Sequence, residues 1–375
     1  MIYVIEPQCK GYEHLENNVI FVDLIRSIFP GKEIAFYAYQ SHAELVNLRL
    51  GELNCVKNIE SLNNCGDIYS SKDLIQCLHA EFKPRKDFIE KVIFLSIGSE
   101  QAFYVNRILG KHGYRTYLFM HYMVSEIASR PSYRPNMFVK WIYFTLAFNS
   151  KNVEHIVFSH MIADRLNRYL LGRHKVKASL LPYDMTNNLK LEDIDLSHYK
   201  RDPFVFVFPG EGRIEKGVRE FIDIGRQYSN NSNVQFIVSG RVKIDPEYCH
   251  NSGVDCIFSD QLISETEYRK RLEKANYFVL LHEPEIYKYI SSGVLLEAVK
   301  SEKPIIAIRN PAFEEFFSMY GDIGYLAESA LEVSDIINFV YLSGNRNREK
   351  FIENLRRARM SYRDDSLNSL RQILL

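Results

Sequence analysis

The sequence lacks the features typical of secreted and membrane-spanning proteins. Its six cysteines form no Cys-x-x-Cys pair and no metal-type cluster, which indicates free thiols in a reducing cytosol. No apolar run approaches the roughly 18 to 20 residues that span a bilayer. The apolar run at the N-terminus is broken at Glu6, so it is too short for a signal peptide. We therefore expect a cytoplasmic protein that at most lies on the inner face of a membrane.

The sequence also lacks an excess of charge of either sign. Lysine plus arginine, and aspartate plus glutamate, each number 47 among 375 residues. This balance gives no whole-molecule argument for a nucleic-acid partner, and none is expected. With 46% apolar residues the chain can fill the cores of a globular protein, and its length suits two domains.

What the chain has is an alternation of apolar strands with helical periods, which predicts an α/β fold. Strands that are apolar throughout and alternate with helices favour parallel sheets covered on both faces. Two such series indicate two doubly wound domains, with helices of the second starting near Val218, Glu265, Gly293 and Phe313. The predicted strands are 2–6, 33–38, 92–97, 115–121 and 155–159 in the first series, and 204–208, 234–239, 277–282 and 304–309 in the second.

The domain boundaries follow from composition. A polar segment without clear period, 186–203, ends in Pro203 and is predicted to link an N-terminal domain, 1–185, to a C-terminal domain, 204–345. The tail, 346–375, is charged and helical in pattern, and it could pack back on the N-terminal domain.

The stretch SSGVLLEAVKSEKPII, 291–306, predicts an anion site at the start of a helix. Unpaired N–H groups around Ser292, Gly293 and Val294 attract a phosphate, and Ser291 and Ser292 can donate to it or cap the helix. Glu297 lies on the same face about 6 Å further along, where it could accept protons from ribose hydroxyls. The alternative is a helix-start glutamate that favours the dipole, with ordinary capping serines.

A second stretch, PGEGRIEKGV at 209–218, places two cations at another junction between a strand and a helix. Gly210 and Gly212 allow close approach of a ligand to the backbone. Arg213 and Lys216 can neutralise a pyrophosphate, the first as a planar fork and the second as a mobile point charge. Alternatively, both are solvated loop charges.

These two stretches resemble the GT-B-fold glycosyltransferases, and most closely the retaining glycosyltransferase family 4 that includes bacterial polysaccharide enzymes. The resemblance covers roughly 200–310 and is only architectural over 1–185. The matching positions are Gly210, Gly212, Arg213, Lys216 and Gly217, then Leu295 to Ala298 and Lys303 to Ile306.

The resemblance implies two Rossmann-like domains facing a cleft, with a nucleotide-diphosphate sugar bound by the C-terminal one. Arg213, Lys216 and the N–H groups of 292–294 would hold the phosphates, and Glu297 would hold the ribose. No cofactor and no metal is expected, because no credible loop carries an Asp-x-Asp signature.

One position departs from the family pattern. The glutamate that usually precedes the ribose-binding one by eight residues is replaced by Tyr289. Either Glu283 or Glu285 could supply the missing catalytic carboxylate. Tyr287 could instead contact phosphate, together with Lys288.

The N-terminal domain would take the acceptor. The loop after the first strand carries Gly11, Glu13, His14 and Asn18, which could bind sugar hydroxyls, and Glu13 or His14 could accept a proton. His121 ends a strand, and the resemblance implies contact with the donor sugar. An ordinary capping loop and a satisfied histidine are the alternatives.

A basic, aromatic stretch at 133–148 allows contact with an anionic membrane, which would suit a lipid-linked acceptor. Its apolar residues run nearly all round the helix, so a core helix is the alternative.

The resulting prediction is a glycosyltransferase that moves a sugar to a hydroxyl of a glycan or lipid-linked glycan, with retention, in cell-surface polysaccharide synthesis. Two other functions fit the same fold. One is a nucleotide-sugar epimerase, and the other is a non-catalytic nucleotide- or sugar-binding partner.

Overall fold

A computed structural model of the chain describes residues 1–52, 59–61, 89–121, 124, 151–169, 175–185, 203–261, 263–343 and 347–375. The basic stretch 133–148 and the predicted linker, apart from Pro203, lie outside the described residues. The chain divides into two compact units. The first comprises Met1–Asp184, Tyr289–Ser291 and Arg363–Leu375, and the second comprises Met185–Lys288 and Ser292–Tyr362.

The described part of the first unit contains a parallel sheet of seven strands in the order β3-β2-β1-β4-β5-β6-β7. Its helices are α1 (Leu15–Ile28), α2 (Gln40–Glu52), α3 (Ser99–His112) and α4 (His160–Tyr169). Its strands are β1 (Ile2–Glu6), β2 (Ile34–Ala38), β3 (Ile59–Ser61), β4 (Lys91–Phe94), β5 (Arg115–Phe119), β6 (Val153–Val157) and β7 (Lys177–Ala178).

Strand β1 lies in the interior of this sheet, between β2 and β4. All five residues of IYVIE are buried, as expected of a strand covered on both faces. It pairs in parallel with β2 on one side and β4 on the other. The chain direction across the sheet therefore reverses between β1 and β4, and ligands of such sheets bind at the carboxyl ends of the strands flanking that point.

The second unit contains a six-stranded parallel sheet in the order β10-β9-β8-β11-β12-β13. Its strands are β8 (Phe204–Phe208), β9 (Val234–Arg241), β10 (Val254–Ile257), β11 (Tyr277–Leu280), β12 (Ile305–Ile308) and β13 (Gly324–Ala327). Its helices are α5 (Val218–Arg226), α6 (Pro246–Cys249), α7 (Glu265–Glu273), α8 (Pro284–Tyr287), α9 (Gly293–Lys300), α10 (Pro311–Tyr320) and α11 (Ala330–Ser343), with a 3₁₀ turn at Ile214–Lys216. The last helix, α12 (Arg348–Leu374), belongs to the second unit up to Tyr362 and to the first unit from Arg363.

The core of the second sheet is built from aromatic rings on neighbouring strands. Phe206 of β8 stacks on Phe236 of β9 with ring centroids 5.3 Å apart, and Phe221 of α5 meets Phe236 edge-on at 5.5 Å. Such pairs contribute about 0.5–1.5 kcal/mol beyond the burial of their area. They stabilise the pairing of β8 with β9, and this pairing fixes the position at which the loop after β8 begins.

The predicted helix starts are confirmed where local signals are strong. Helices α5, α7 and α9 begin at Val218, Glu265 and Gly293. The last predicted start, Phe313, is two residues late, because Asn310 caps the helix by accepting from the Phe313 N–H and Pro311 occupies the first turn. The strands β3, β7, β10 and β13 were not predicted; the last of these opens with Gly324.

The C-terminal helix α12 is anchored by ion pairs within each unit. In the second unit, Arg356 Nε lies 2.8 Å from Oε2 of the buried Glu302, and Arg359 Nη2 lies 3.0 Å from its Oε1. In the first unit, Arg363 donates to Asp23 at 2.7 Å and Ser369 Oγ accepts from the Leu180 N–H at 3.1 Å. In the described ranges, no helix combines the length and the hydropathy required to cross a membrane.

Candidate functional site

The second sheet brings the two glycine-containing stretches of the sequence to one place. Strands β8 and β11 are direct neighbours and parallel, and the chain direction across the sheet reverses between them. The loop after β8 carries the PGEGRIEKG stretch, and the segment after β11 leads to α9. Both therefore lie at the edge where ligands of doubly wound sheets bind.

Gly210 marks the point where these stretches meet. A Cβ built on Gly210 would stand 3.4 Å from Lys216 Nζ and 3.4 Å from Cγ1 of Val294, in the first turn of α9. The backbone of Gly210 has φ +83°, which favours glycine, and its N–H donates to Ser239 Oγ at 2.9 Å. Lys216 of one stretch and Val294 of the other thus border one space.

Gly217 lets the turn that carries Arg213 and Lys216 pack closely against Leu281, just after β11. Its φ is +82°, and a Cβ there would lie 2.2 Å from the carbonyl oxygen of Leu281. Next to this contact the Glu283 N–H donates to the Glu215 carbonyl at 3.1 Å. Only glycine permits so close an approach, so the turn that carries Arg213 and Lys216 has a defined position at this edge.

In the described ranges, the charged side chains around the turn pair with one another, with the exception of Lys216. Glu211 is held by Arg241 at 2.7 Å and by Lys243 at 3.0 Å, and Arg213 Nε lies 3.2 Å from Glu215. Within the described ranges, no carboxylate lies at ion-pair distance from Lys216. Burial, and then the charge of Arg213, lowers the pKa of Lys216 to about 8. A partly desolvated ammonium without a counter-ion is suited to an anionic ligand.

The N-terminus of α9 leaves its first N–H groups free of a side-chain cap. Ser292 is the N-cap residue, and its hydroxyl makes no capping bond. Its Oγ lies 3.2 Å from Nε2 of His282 instead. The sequence did not single out His282, whose only signal was its place as the last residue of the predicted strand 277–282.

Glu297 lies in the same helix, but one of its oxygens points away from the predicted direction. Its Oε1 accepts from Ser301 Oγ at 3.2 Å, toward the C-terminal end of the helix, whereas the sequence predicted a carboxylate leaning toward the N-terminus. The residue is buried. Tyr268 of α7 stands close by: burial and then the negative charge of Glu297 raise the pKa of its hydroxyl.

The loop candidates near α8 differ in their surroundings. Glu283 and Glu285 are exposed, and Glu285 pairs with Lys288 at 2.7 Å. Tyr287 is buried, with its ring centroid 4.2 Å from that of His282. Ser291 and Tyr289 are grouped with the first unit. Binding or catalytic roles for these residues stay predictions.

In the first unit the two predicted histidines are neighbours. The ring centroids of His14 and His121 are 6.0 Å apart, after β1 and β5 respectively. His14 is exposed and has φ 49°, a conformation that costs a non-glycine residue about 1–3 kcal/mol. Burial, and then the charge of His14, lowers the pKa of His121 to about 4. No three metal-ligating side chains cluster in the ranges given above.

A buried polar network supports the loop that carries His14. His42 Nδ1 lies 2.7 Å from the Gly11 carbonyl, and its Nε2 lies 2.9 Å from Nδ2 of Asn18. Glu6 accepts from the N–H groups of Gln8 and Cys9 at 2.9 and 3.2 Å. Asn18, predicted to bind acceptor, is thus buried and engaged within this network.

The remaining acceptor candidate of this loop is exposed. The carboxylate of Glu13 accepts from the Lys10 N–H at 2.9 Å, and the Glu13 N–H donates to the Lys10 carbonyl. These two bonds close a tight turn around Gly11, whose φ is +50°. The turn holds Glu13 and His14 at the surface of the unit.

No protein-family profile and no curated protein sequence matches the chain. Solved structures do resemble it. Anabaena HepE in complex with UDP shares 13% identity at a TM-score of 0.65, covering 100% of this chain and 98% of that one. A glycosyltransferase from Rickettsia africae shares 13% at 0.61, with 100% and 96% coverage. The UDP-GlcNAc 2-epimerase of Neisseria meningitidis, bound to UDP-GlcNAc, shares 11% at 0.54, with 100% and 98% coverage.

At this level of identity the likeness shows the fold. The prediction of two doubly wound, Rossmann-like units of the GT-B type is confirmed. Membership in glycosyltransferase family 4 stays a prediction.

Proposed function

We propose that the chain is a glycosyltransferase that moves a sugar from a nucleotide-diphosphate donor to a hydroxyl of a glycan or lipid-linked glycan. The transfer proceeds with retention and serves cell-surface polysaccharide synthesis in the cytoplasm or at the inner face of the membrane. The second unit takes the donor and the first unit takes the acceptor.

The observation that carries this proposal is the environment of Lys216. Its ammonium is partly buried, has a lowered pKa and borders the same space as Gly210 and the start of α9. A helix N-terminus, together with a cation that no described carboxylate pairs with, suits a dianionic group more than any neutral ligand. HepE and the Neisseria epimerase, which share the fold, were crystallised with UDP and UDP-GlcNAc.

In the proposed reaction the second unit stabilises the leaving group. The bond between the sugar and the diphosphate breaks, and negative charge builds on the β-phosphate. Arg213, Lys216 and the N–H groups of Gly293 and Val294 would meet that charge with fixed dipoles and cations, which is usually the largest catalytic contribution. Glu297 would hold the ribose after its carboxylate exchanges Ser301 for the hydroxyls of the sugar. No metal is assigned to this step.

The acceptor side rests on the first unit and on the α8 loop. His121, kept neutral by burial, suits a hydrogen bond to a sugar hydroxyl, and exposed Glu13 or His14 suits removal of a proton from the acceptor. Glu283 or Glu285 takes the place of the carboxylate that Tyr289 replaces.

Calorimetric titration with UDP, GDP, CDP, ADP and dTDP tests the donor site directly. We expect one of these to bind the wild-type protein, and Glu297→Ala and Arg213→Ala each to weaken that binding by more than about tenfold. Far-ultraviolet circular dichroism of each variant controls for folding. A folded wild-type protein that binds none of the five has no nucleotide-diphosphate site.

A nucleotide-sugar epimerase is the second candidate, favoured by the likeness to the Neisseria enzyme over the full chain. An epimerase converts the donor sugar without any acceptor, whereas a transferase releases nucleoside diphosphate only as sugar is transferred. Donor incubated alone and followed by proton NMR separates the two. Binding without turnover of any kind would indicate a non-catalytic partner protein.

A further inference from the structure

The segment after β11 holds a histidine to which no role has yet been assigned. His282 is 2% exposed. Its ring lies edge-on to Tyr287, with centroids 4.2 Å apart, and to Phe313, at 5.5 Å. A histidine enclosed in this way has lost its contact with water, so its polar atoms need partners inside the protein.

The two ring nitrogens of His282 differ in their surroundings. Nε2 lies 3.2 Å from Ser292 Oγ, whereas Nδ1 is buried and has no hydrogen-bond partner among the described residues. Burial holds the pKa of His282 well below its usual range, and the charges of Lys216 and Arg213 lower it further. The ring is therefore neutral near pH 7 and carries a single proton.

Ser292 is an N-cap serine that does not cap. Such serines usually accept a hydrogen bond from an N–H two or three residues further on. Ser292 makes no bond of this kind, and its oxygen faces His282 instead. The first N–H groups of α9, at Gly293 and Val294, have no acceptor within the helix and remain available to a ligand.

We propose that His282 is a positioning residue of the diphosphate site: its Nε2–H donates to Ser292 Oγ, which leaves the Ser292 hydroxyl proton to a phosphate oxygen. The inference rests on the proposed function. A serine hydroxyl has one proton, and if Nε2 accepted it, none would be left for an anion. A phosphate at the start of α9 therefore selects the tautomer with its proton on Nε2.

This arrangement adds a third kind of donor to the site. Lys216 supplies a mobile charge, and α9 supplies backbone N–H groups. Ser292 supplies a hydroxyl that is oriented by its hydrogen bond with His282. Since His282 is buried between two rings, its nitrogen cannot swing away, and the hydroxyl is oriented before the ligand arrives. Pre-oriented donors cost less ordering on binding.

A double-mutant cycle tests the coupling. The variants are His282→Phe, which keeps the ring packing, Ser292→Ala and the double variant, and the probes are UDP and inorganic pyrophosphate measured by calorimetry. We expect each single variant to bind about ten- to a hundredfold more weakly, as for loss of one hydrogen bond to a charged group. The double variant should be no weaker than Ser292→Ala, and His282→Gln should recover part of the loss through its amide donor.

The same titrations distinguish the role of His282 from the existence of the diphosphate site. If the wild-type protein binds neither probe, both proposals fail. If it binds and His282→Phe binds equally well, or if the two single effects simply add, the diphosphate site stands and the role of His282 is wrong.

A measurement on the wild-type protein covers the case in which His282→Phe does not fold. Nitrogen-15 NMR of labelled histidine distinguishes protonated from bare ring nitrogens. In the pyrophosphate complex we expect the proton of His282 on Nε2 and a bare Nδ1. A proton on Nδ1, or on both nitrogens, in that complex overturns the proposal.

Discussion

Lys216 Nζ lies 3.4 Å from the position that a Cβ on Gly210 would occupy. The glycine and the lysine belong to one turn, but the same point is equally close to Val294, which follows 78 residues later. The absence of a side chain at Gly210 therefore keeps open the space that the lysine and the start of α9 share. Four predictions follow from this space and from the contacts that support the two units.

Affinity for a nucleoside diphosphate should fall above pH 8 because Lys216 loses its proton. Its pKa of about 8 means that the cation is largely present at pH 7 and largely absent at pH 9. The diphosphate is already ionised over this range. We expect about a tenfold loss of affinity between pH 7 and pH 9, measured by calorimetry.

Lys216→Arg is the matched control for that titration. A guanidinium stays charged from pH 7 to pH 9. The affinity of the Lys216→Arg variant for the nucleoside diphosphate should therefore be the same at both pH values. An equal slope in both proteins would assign the pH dependence to a group other than Lys216.

Gly210→Ala should weaken diphosphate binding by about fivefold or more, because its methyl group enters the space beside Lys216 and Val294. The control is Gly31→Ala. Gly31 has a similar φ of +76° but nothing within 4 Å of a built Cβ. Both variants should lose about 1–2 kcal/mol of stability from the left-handed backbone. Equal nucleotide affinity in the two would show that the space at Gly210 is not a ligand site.

Removing His14 should raise the pKa of His121. Burial is the larger cause of the low value of about 4 and the charge of His14 is the smaller one. In His14→Ala the pKa should therefore increase but remain below 6.5, the usual value for histidine. NMR titration of the imidazole carbon-bound protons measures it. His250→Ala, a change in the other unit, should leave His121 unaltered; no change in His14→Ala would mean that the two rings do not interact.

Glu302 combines a buried carboxylate with a left-handed backbone, at φ 51°. Glu302→Ala and Glu302→Gly both remove the ion pairs with Arg356 and Arg359, which should cost about 1–3 kcal/mol. Only glycine relieves the backbone strain, so Glu302→Gly should be more stable than Glu302→Ala by about 1 kcal/mol. Urea unfolding measures both. The reverse order would show that the backbone conformation at 302 is not strained.

Short-range signals predicted much of each unit. The strands 2–6 and 204–208 were predicted with the bounds that the structure has, because an unbroken run of buried β-branched and aromatic residues has few alternatives. The edge strands β10 and β13 were missed, since VDCI and GYLA contain polar residues or glycine and lack that signal. The start of α10 was predicted two residues late, at Phe313, where the apolar pattern begins. The helix begins at Pro311, because Asn310 caps it.

The resemblance implied that Arg213, Lys216 and the start of α9 hold the same phosphates. In the structure, Lys216 and Val294 of α9 lie equally close to the position of a Cβ built on Gly210. His282 was missed because a histidine after a strand has no distinctive pattern until its partner, Ser292, is known. Asn18 was predicted to bind sugar hydroxyls; it is buried, and its Nδ2 lies 2.9 Å from His42 Nε2.

The amino-acid sequence by itself determined which segments form strands and helices and which loops carry glycine and charge, because those choices depend on neighbours a few residues away. The tertiary structure alone decided that β8 lies beside β11, that no described carboxylate lies at ion-pair distance from Lys216, and that Ser292 lies against His282. Strand order and the pairing of buried polar groups depend on residues distant in the chain, and an apolar run does not specify which other run it will pack against.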